Sequence, residues 1–180
     1  MSIPFIDLKQ QQARIRAKID AGLSAILDHG AYIMGPEVSA LEARLSEWTG
    51  AAHNISCSSG TDALLLALYG LELKPGQGVI VPSFTFAASA EVMPVMGAVP
   101  VFAEVEAGSF NLDPNKLDAA LEAGKATDID VVGIIGVGLF GQPANYDAIQ
   151  AFATAHGLWL SDDAAQSFGA QWHDRPVGQL

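Results

Sequence analysis

A single cysteine, Cys57, stands in the 180 residues, so no internal disulfide can form and zinc has no cysteine cluster to hold it. Cations are also scarce: nine Lys plus Arg oppose twenty Asp plus Glu, a net charge of −11, and no two of the cations are adjacent. That balance argues against a nucleic-acid partner, which needs a basic face to neutralise phosphates, and against attraction to anionic lipid. The start, MSIPFIDLKQ, lacks the basic-then-apolar order of a signal peptide. The longest apolar stretches, Val92 to Phe102 and Val131 to Phe140, are short and broken by Gly or Pro, unlike a membrane span. Charged residues make up only 16% and apolar ones 50%, so disorder is excluded and there is ample material for one core. These features predict a soluble, acidic, cytoplasmic protein.

Apolar residues at Ile15, Ile19, Leu23, Ile26 and Leu27 recur at helical spacing, which predicts an amphipathic helix over 8–28 that Gly30 ends. A second helix follows Pro36, with Val38, Leu41, Leu45 and Trp48 on one stripe and Gly50 as its stop. Beyond it, β-rich runs at 79–81, 99–105, 131–137 and 158–160 alternate with helical stretches near 61–69, 87–96, 114–122 and 146–156. The runs are apolar throughout, as in strands covered on both faces. The expectation is an α/β protein, a three-layer α/β/α arrangement with a mostly parallel sheet. Residues 1–30 read as a helical segment and 31–180 as part of a larger domain. The end at Gly178, Gln179 and Leu180 has no closing helix and reads as a truncation.

In open parallel sheets, ligands bind beyond the carboxyl ends of the strands, so the loops there are the places to search. After the short run Ile55 to Cys57 comes Ser58-Ser59-Gly60-Thr61, opening a helix. Its hydroxyls, glycine and free N–H groups suit a phosphate, while Ser59 or Thr61 acting only as a helix cap is the plainer reading. Phe84 and Phe86 follow the next run and could stack on a flat ligand or simply fill the core. Gly136-Val137-Gly138-Leu139-Phe140-Gly141 matches G-x-G-x-x-G, with Asp162 and Asp163 downstream, the pattern of a nicotinamide-dinucleotide site. Pro143, however, delays the next helix to about Asn145, away from the glycines where a pyrophosphate would need it. The pair Asp162 and Asp163 ends a buried strand, where a carboxylate must be bonded or used; one could cap the next turn while the other points into a site. His29, His53, His156 and His173 show no ligand spacing with them, and no metal site is assigned.

Taken in order, these segments resemble one family. Phe5-Ile6-Asp7-Leu8, Gly35-Pro36-Glu37-Val38, Ser58-Ser59-Gly60-Thr61-Asp62-Ala63-Leu64, Pro82-Ser83-Phe84-Thr85-Phe86, Phe140-Gly141-Gln142-Pro143-Ala144 and Asp163-Ala164-Ala165-Gln166-Ser167-Phe168-Gly169-Ala170 are similar to the DegT/StrS-type sugar aminotransferases. These are pyridoxal 5'-phosphate enzymes of the aspartate-aminotransferase fold, and the likeness runs over nearly the whole chain.

The resemblance implies a role for each loop. Gly60, Thr61 and the Asp62 backbone N–H would hold the cofactor phosphate, and Phe86 would stack on the pyridine ring. Asp163 would face the ring nitrogen and keep it protonated, and Gln166 would hydrogen-bond the phenolic oxygen. The family's cofactor-bonding lysine lies downstream of the Asp-Ala-Ala-Gln segment. None of Lys9, Lys18, Lys74, Lys116 and Lys125 matches it, so the catalytic lysine is expected beyond Leu180. The carboxyl-terminal small domain is likewise expected to be absent, leaving a chain inactive by itself. Gly138 and Asn145 depart from the family's frequent His and Asp at those places, which bears on substrate preference. The implied activity is transfer of an amino group, from glutamate, to a keto carbon of a nucleotide-linked sugar in polysaccharide or glycoside synthesis, by a homodimer. The alternatives are a sugar dehydratase of the same family, in which histidine replaces the lysine, and a non-catalytic binding module.

Overall fold

A computed structural model describes residues 3–179; Met1, Ser2 and Leu180, the outermost residues of the two expected segments, lie outside it. By its contacts the chain divides into two compact units, Met1–Arg44 and Leu45–Leu180.

The first unit holds α1, Leu8–His29, and the start of α2, Pro36–Thr49. Asp7 caps α1 by accepting from the Gln10 N–H, and Gly30 closes it in the left-handed conformation. The expected helix is therefore present, yet it buries no residue: Ile15, Leu23 and Leu27 all stand exposed. Local bonds hold it, including the Arg16–Asp20 ion pair one turn apart.

The second unit is built on four parallel strands, β1 (Gln77–Pro82), β2 (Val99–Ala103), β3 (Asp130–Val137) and β4 (Trp159–Asp163), in the order β2-β1-β3-β4. Their β-branched residues explain the choice of strand. Ile80, Val81, Ile134 and Ile135 are wholly buried, each contributing about 1.5–3 kcal/mol by leaving water. The helices α3 (Gly60–Gly70) and α4 (Ala88–Val95) cover one face, where Leu68, Val92 and Met93 meet Val79, Val81 and Ile135. On the other face, α5 (Leu117–Ala126) and α6 (Tyr146–His156) bring Leu117, Leu121 and Ile149 against Ile80 and Ile134. The three-layer arrangement expected from the apolar runs is thus realised. A short antiparallel pair, β5 (Gln171–Trp172) with β6 (Arg175–Pro176), follows the sheet.

Two sequence expectations give way. The run Ile55 to Cys57 forms no strand and leads into α3 as irregular chain. The run from Val99 stops pairing with β1 at Ala103, and Val105 joins only an isolated bridge with Leu112.

Strand order also fixes where a ligand can enter. From β1 the chain passes through α4 outward to β2, whereas from β3 it passes through α6 to β4 on the opposite side. The connections after the adjacent strands β1 and β3 therefore diverge, opening a crevice at their carboxyl ends.

Candidate functional site

A pocket of about 230 Å³ occupies this crevice. It is lined by Gly60 and Thr61 at the start of α3, Thr85 and Phe86 after β1, Val137 and Leu139 around the end of β3, Asp163 at the end of β4 and Gln166 just after it. Five of the six residues singled out by sequence, Gly60, Thr61, Phe86, Asp163 and Gln166, are therefore brought together from separate loops.

Asp62 is the exception and does not line the pocket. Its N–H donates to Ser59 Oγ at 3.1 Å, and its carboxylate accepts from the Ser58 and Ser59 hydroxyls at 2.5 and 2.8 Å. Those bonds, Ser58 foremost, hold its carboxyl below the ordinary aspartate range. Ser59 is thus a true cap of α3, and the Asp62 N–H expected to serve a phosphate is already committed. Gly60 and Thr61, in the first turn, have N–H groups with no acceptor inside the helix.

The two neighbouring aspartates of β4 part company, because successive strand residues face opposite sides of a sheet. Asp163 points to the pocket side. One of its oxygens accepts from the wholly buried Ser89 hydroxyl at 2.9 Å, and the other from the Ala165 N–H at 3.2 Å. It therefore both closes the following turn and enters the site, combining the two roles expected of separate residues. Asp162 turns to the α6 face and accepts from the Tyr146 hydroxyl. Burial pushes the Asp162 carboxyl up to about 6, opposed by that bond and supported by the nearby Asp163 charge. The Tyr146 hydroxyl is raised as well, by burial first and then by the Asp162 charge.

The aromatic pair also divides. Phe86 is 68% exposed and lines the pocket, while Phe84 joins Phe110 and Phe140 in a cluster with ring centres 5.5 to 6.5 Å apart. The glycine-rich segment forms a short 3-10 turn, Leu139–Gly141, and α6 starts only at Tyr146, where Asn145 accepts from the Ala148 N–H. No helix start meets its glycines, so a dinucleotide has no cradle there. Gln166 accepts from the Phe140 N–H at 2.7 Å, tying the turn to the pocket.

Sequence reasoning missed Ser89 and Asn111. Ser89 is a hydroxyl in an apolar helical stretch and Asn111 a buried amide in a loop, and a polar group that packing would bury is the signal that could have flagged each. Among the described residues no three His, Cys, Asp or Glu side chains gather as metal ligands, and no helix is long and apolar enough to cross a membrane.

Residues 13–180 match the DegT/DnrJ/EryC1/StrS aminotransferase family. The chain belongs to that family. Among its relatives in the family, the UDP-2-acetamido-2-deoxy-3-oxo-D-glucuronate aminotransferase of Pseudomonas aeruginosa is 48% identical over 94% of this chain and 46% of its own length. A DegT/DnrJ/EryC1/StrS aminotransferase structure from Brucella abortus superposes with a TM-score of 0.95 at 43% identity, over 98% of this chain and 48% of that one. NtdA from Bacillus subtilis, solved with bound PMP cofactor, superposes at 0.87 with 27% identity, over 94% of this chain and 38% of that one. The chain thus spans about half or less of the length of these family members.

Proposed function

We propose that this chain forms the cofactor-binding wall of a pyridoxal 5'-phosphate-dependent aminotransferase acting on a nucleotide-linked sugar. One observation carries the reading: a carboxylate fixed by two hydrogen bonds, Asp163, lines the same pocket as an exposed aromatic ring and the open start of a helix. That donor set fits the cofactor end for end. The helix start with the Gly60 and Thr61 N–H groups favours a phosphate, and an ionised carboxylate favours a protonated pyridine nitrogen. Phe86 offers a ring for stacking, and Gln166 an amide for the phenolic oxygen.

When bound, the cofactor supplies an electron-withdrawing ring that stabilises negative charge developing at the amino-bearing carbon. Asp163 holds the proton on the ring nitrogen, and Ser89 with the Ala165 N–H keeps that carboxylate from turning away. Phe86 keeps the ring flat, and the start of α3 anchors the phosphate against rotation. Amino transfer also requires a lysine. Among the described residues none lines this pocket, so the 180-residue chain is expected to bind cofactor without turnover. The sugar substrate rests on the likeness to the Pseudomonas enzyme, whose name specifies a UDP-linked oxo sugar. Glutamate as amino donor, a role in polysaccharide or glycoside synthesis, a homodimeric state and a cytoplasmic setting complete the proposal.

The test is a fluorescence titration of the chain with pyridoxamine phosphate. Saturable binding is expected, with Asp163→Asn weakening it about tenfold, the scale of a hydrogen bond to a charged group. An unchanged affinity in Asp163→Asn, or no saturable binding by the unmodified chain, would remove the reading.

A further inference from the structure

The turn after β3, set aside as a dinucleotide site, is held by an unusual set of bonds. Asn111, only 3% exposed, lies in the loop after β2, yet both ends of its side-chain amide reach this turn. Its Nδ2 donates to the carbonyls of Gln142 and Pro143 at 2.8 and 3.2 Å, and its Oδ1 accepts from the Leu139 N–H at 3.0 Å. Only one orientation of an amide can donate to two carbonyls and accept from an N–H, so the chemistry fixes which atom is which. One buried residue therefore stitches both sides of the segment 139–143 to the neighbouring loop.

Between those stitches sits Phe140, whose backbone is left-handed at φ 57°, an uncommon conformation for a bulky residue. In that conformation its N–H donates to Gln166 Oε1 at 2.7 Å. The same donor and acceptor logic then applies to Gln166. With the oxygen of its planar amide engaged by an N–H, the remaining polar end is Nε2, which can only donate.

We infer that Asn111 is a positioning residue: by locking the turn it presents the Phe140 N–H to Gln166, and thereby turns the Gln166 Nε2 donor toward the cofactor's phenolic oxygen. The inference rests on the cofactor reading above and adds a mechanism of orientation to it. Without the lock, Phe140 relaxes from its left-handed backbone, its N–H leaves Gln166, and the amide is free to rotate. An amide that is free to rotate must be ordered anew each time it donates to the anionic phenolate, so the contact is weakened.

The experiment compares two ligands on the full chain, pyridoxamine phosphate and its analogue lacking the ring hydroxyl, with hydrogen exchange at the Phe140 amide measured alongside. The unmodified chain is expected to prefer pyridoxamine phosphate about tenfold, the value of one hydrogen bond to a charged acceptor. Asn111→Ala should cut that preference about threefold, the scale of ordering one side chain, leave affinity for the deoxy analogue within about twofold, and speed exchange at Phe140. Asn111→Asp, which keeps the size and the acceptor for the Leu139 N–H but removes both donors, should do the same if Asn111→Ala does not fold. Gln166→Glu, at an exposed position, should keep Phe140 protected while abolishing the preference. An equal weakening of both ligands by the Asn111 variants, or a preference that they leave unchanged, would overturn the inference. Equal binding of the two ligands by the unmodified chain would overturn it while leaving the cofactor reading intact; binding of neither would remove both.

Discussion

Asp162 carries a pH signature of its own. Its carboxyl stands at about 6 in the folded chain against an ordinary 3.8, with burial as the leading cause. Between those values the folded state holds a proton that the unfolded state has released, so stability is greatest below the ordinary value and falls as pH rises through about 6. A difference of that size between the two states corresponds to about 3 kcal/mol. Urea unfolding from about pH 4 to about pH 7 should reveal this decline, and Asp162→Asn, which still accepts from Tyr146, should flatten it. An unaltered slope in that variant would place the effect elsewhere. Ser59 makes a second prediction at this scale. Its oxygen caps α3, so Ser59→Ala should cost about 1 kcal/mol of stability, read as a lower urea midpoint.

Among the elements, β3 and β4 approach closely at Gly133. A β-carbon there would fall inside the ring of Trp159 on the adjacent strand, so Gly133→Ala is expected to destabilise by about 1–3 kcal/mol through overpacking. A midpoint within error of the unmodified chain would mean that the indole has room to retreat. The helices and strands themselves were legible in the sequence, because 3.6-residue stripes and runs of Val and Ile are local signals. The delayed start of α6 was legible for the same reason: Pro143 constrains its own neighbourhood. The run Ile55 to Cys57 misled, since three residues are too few to carry a strand signal of their own. The bond from Ser89 to Asp163 spans 74 residues of sequence, and the fork from Asn111 about thirty, distances over which spacing carries no information. Family likeness brought out Gly60, Phe86, Asp163 and Gln166 because their motifs are contiguous; it could not bring out side chains that act by holding them.

At the scale of the whole molecule, the two units differ in what keeps them folded. The sheet is sealed between two apolar layers, whereas α1 has its caps and its ion pair but no buried side chain. Amide exchange in α1 should therefore be faster by orders of magnitude than in β1 and β3, whose opening requires the unit to unfold. Equal protection across α1 and the central strands, read by mass spectrometry, would contradict this.

The sheet also has two unlike borders. At β2 a proline, Pro100, removes one backbone donor from the outermost strand, and at β4 the backbone carries no such block. Further strands are thus welcomed on one flank and discouraged on the other. A concentrated solution of the 180-residue chain should consequently self-associate by extending its β-ladder from Trp159–Asp163, and a proline placed in that strand should keep the solution clear.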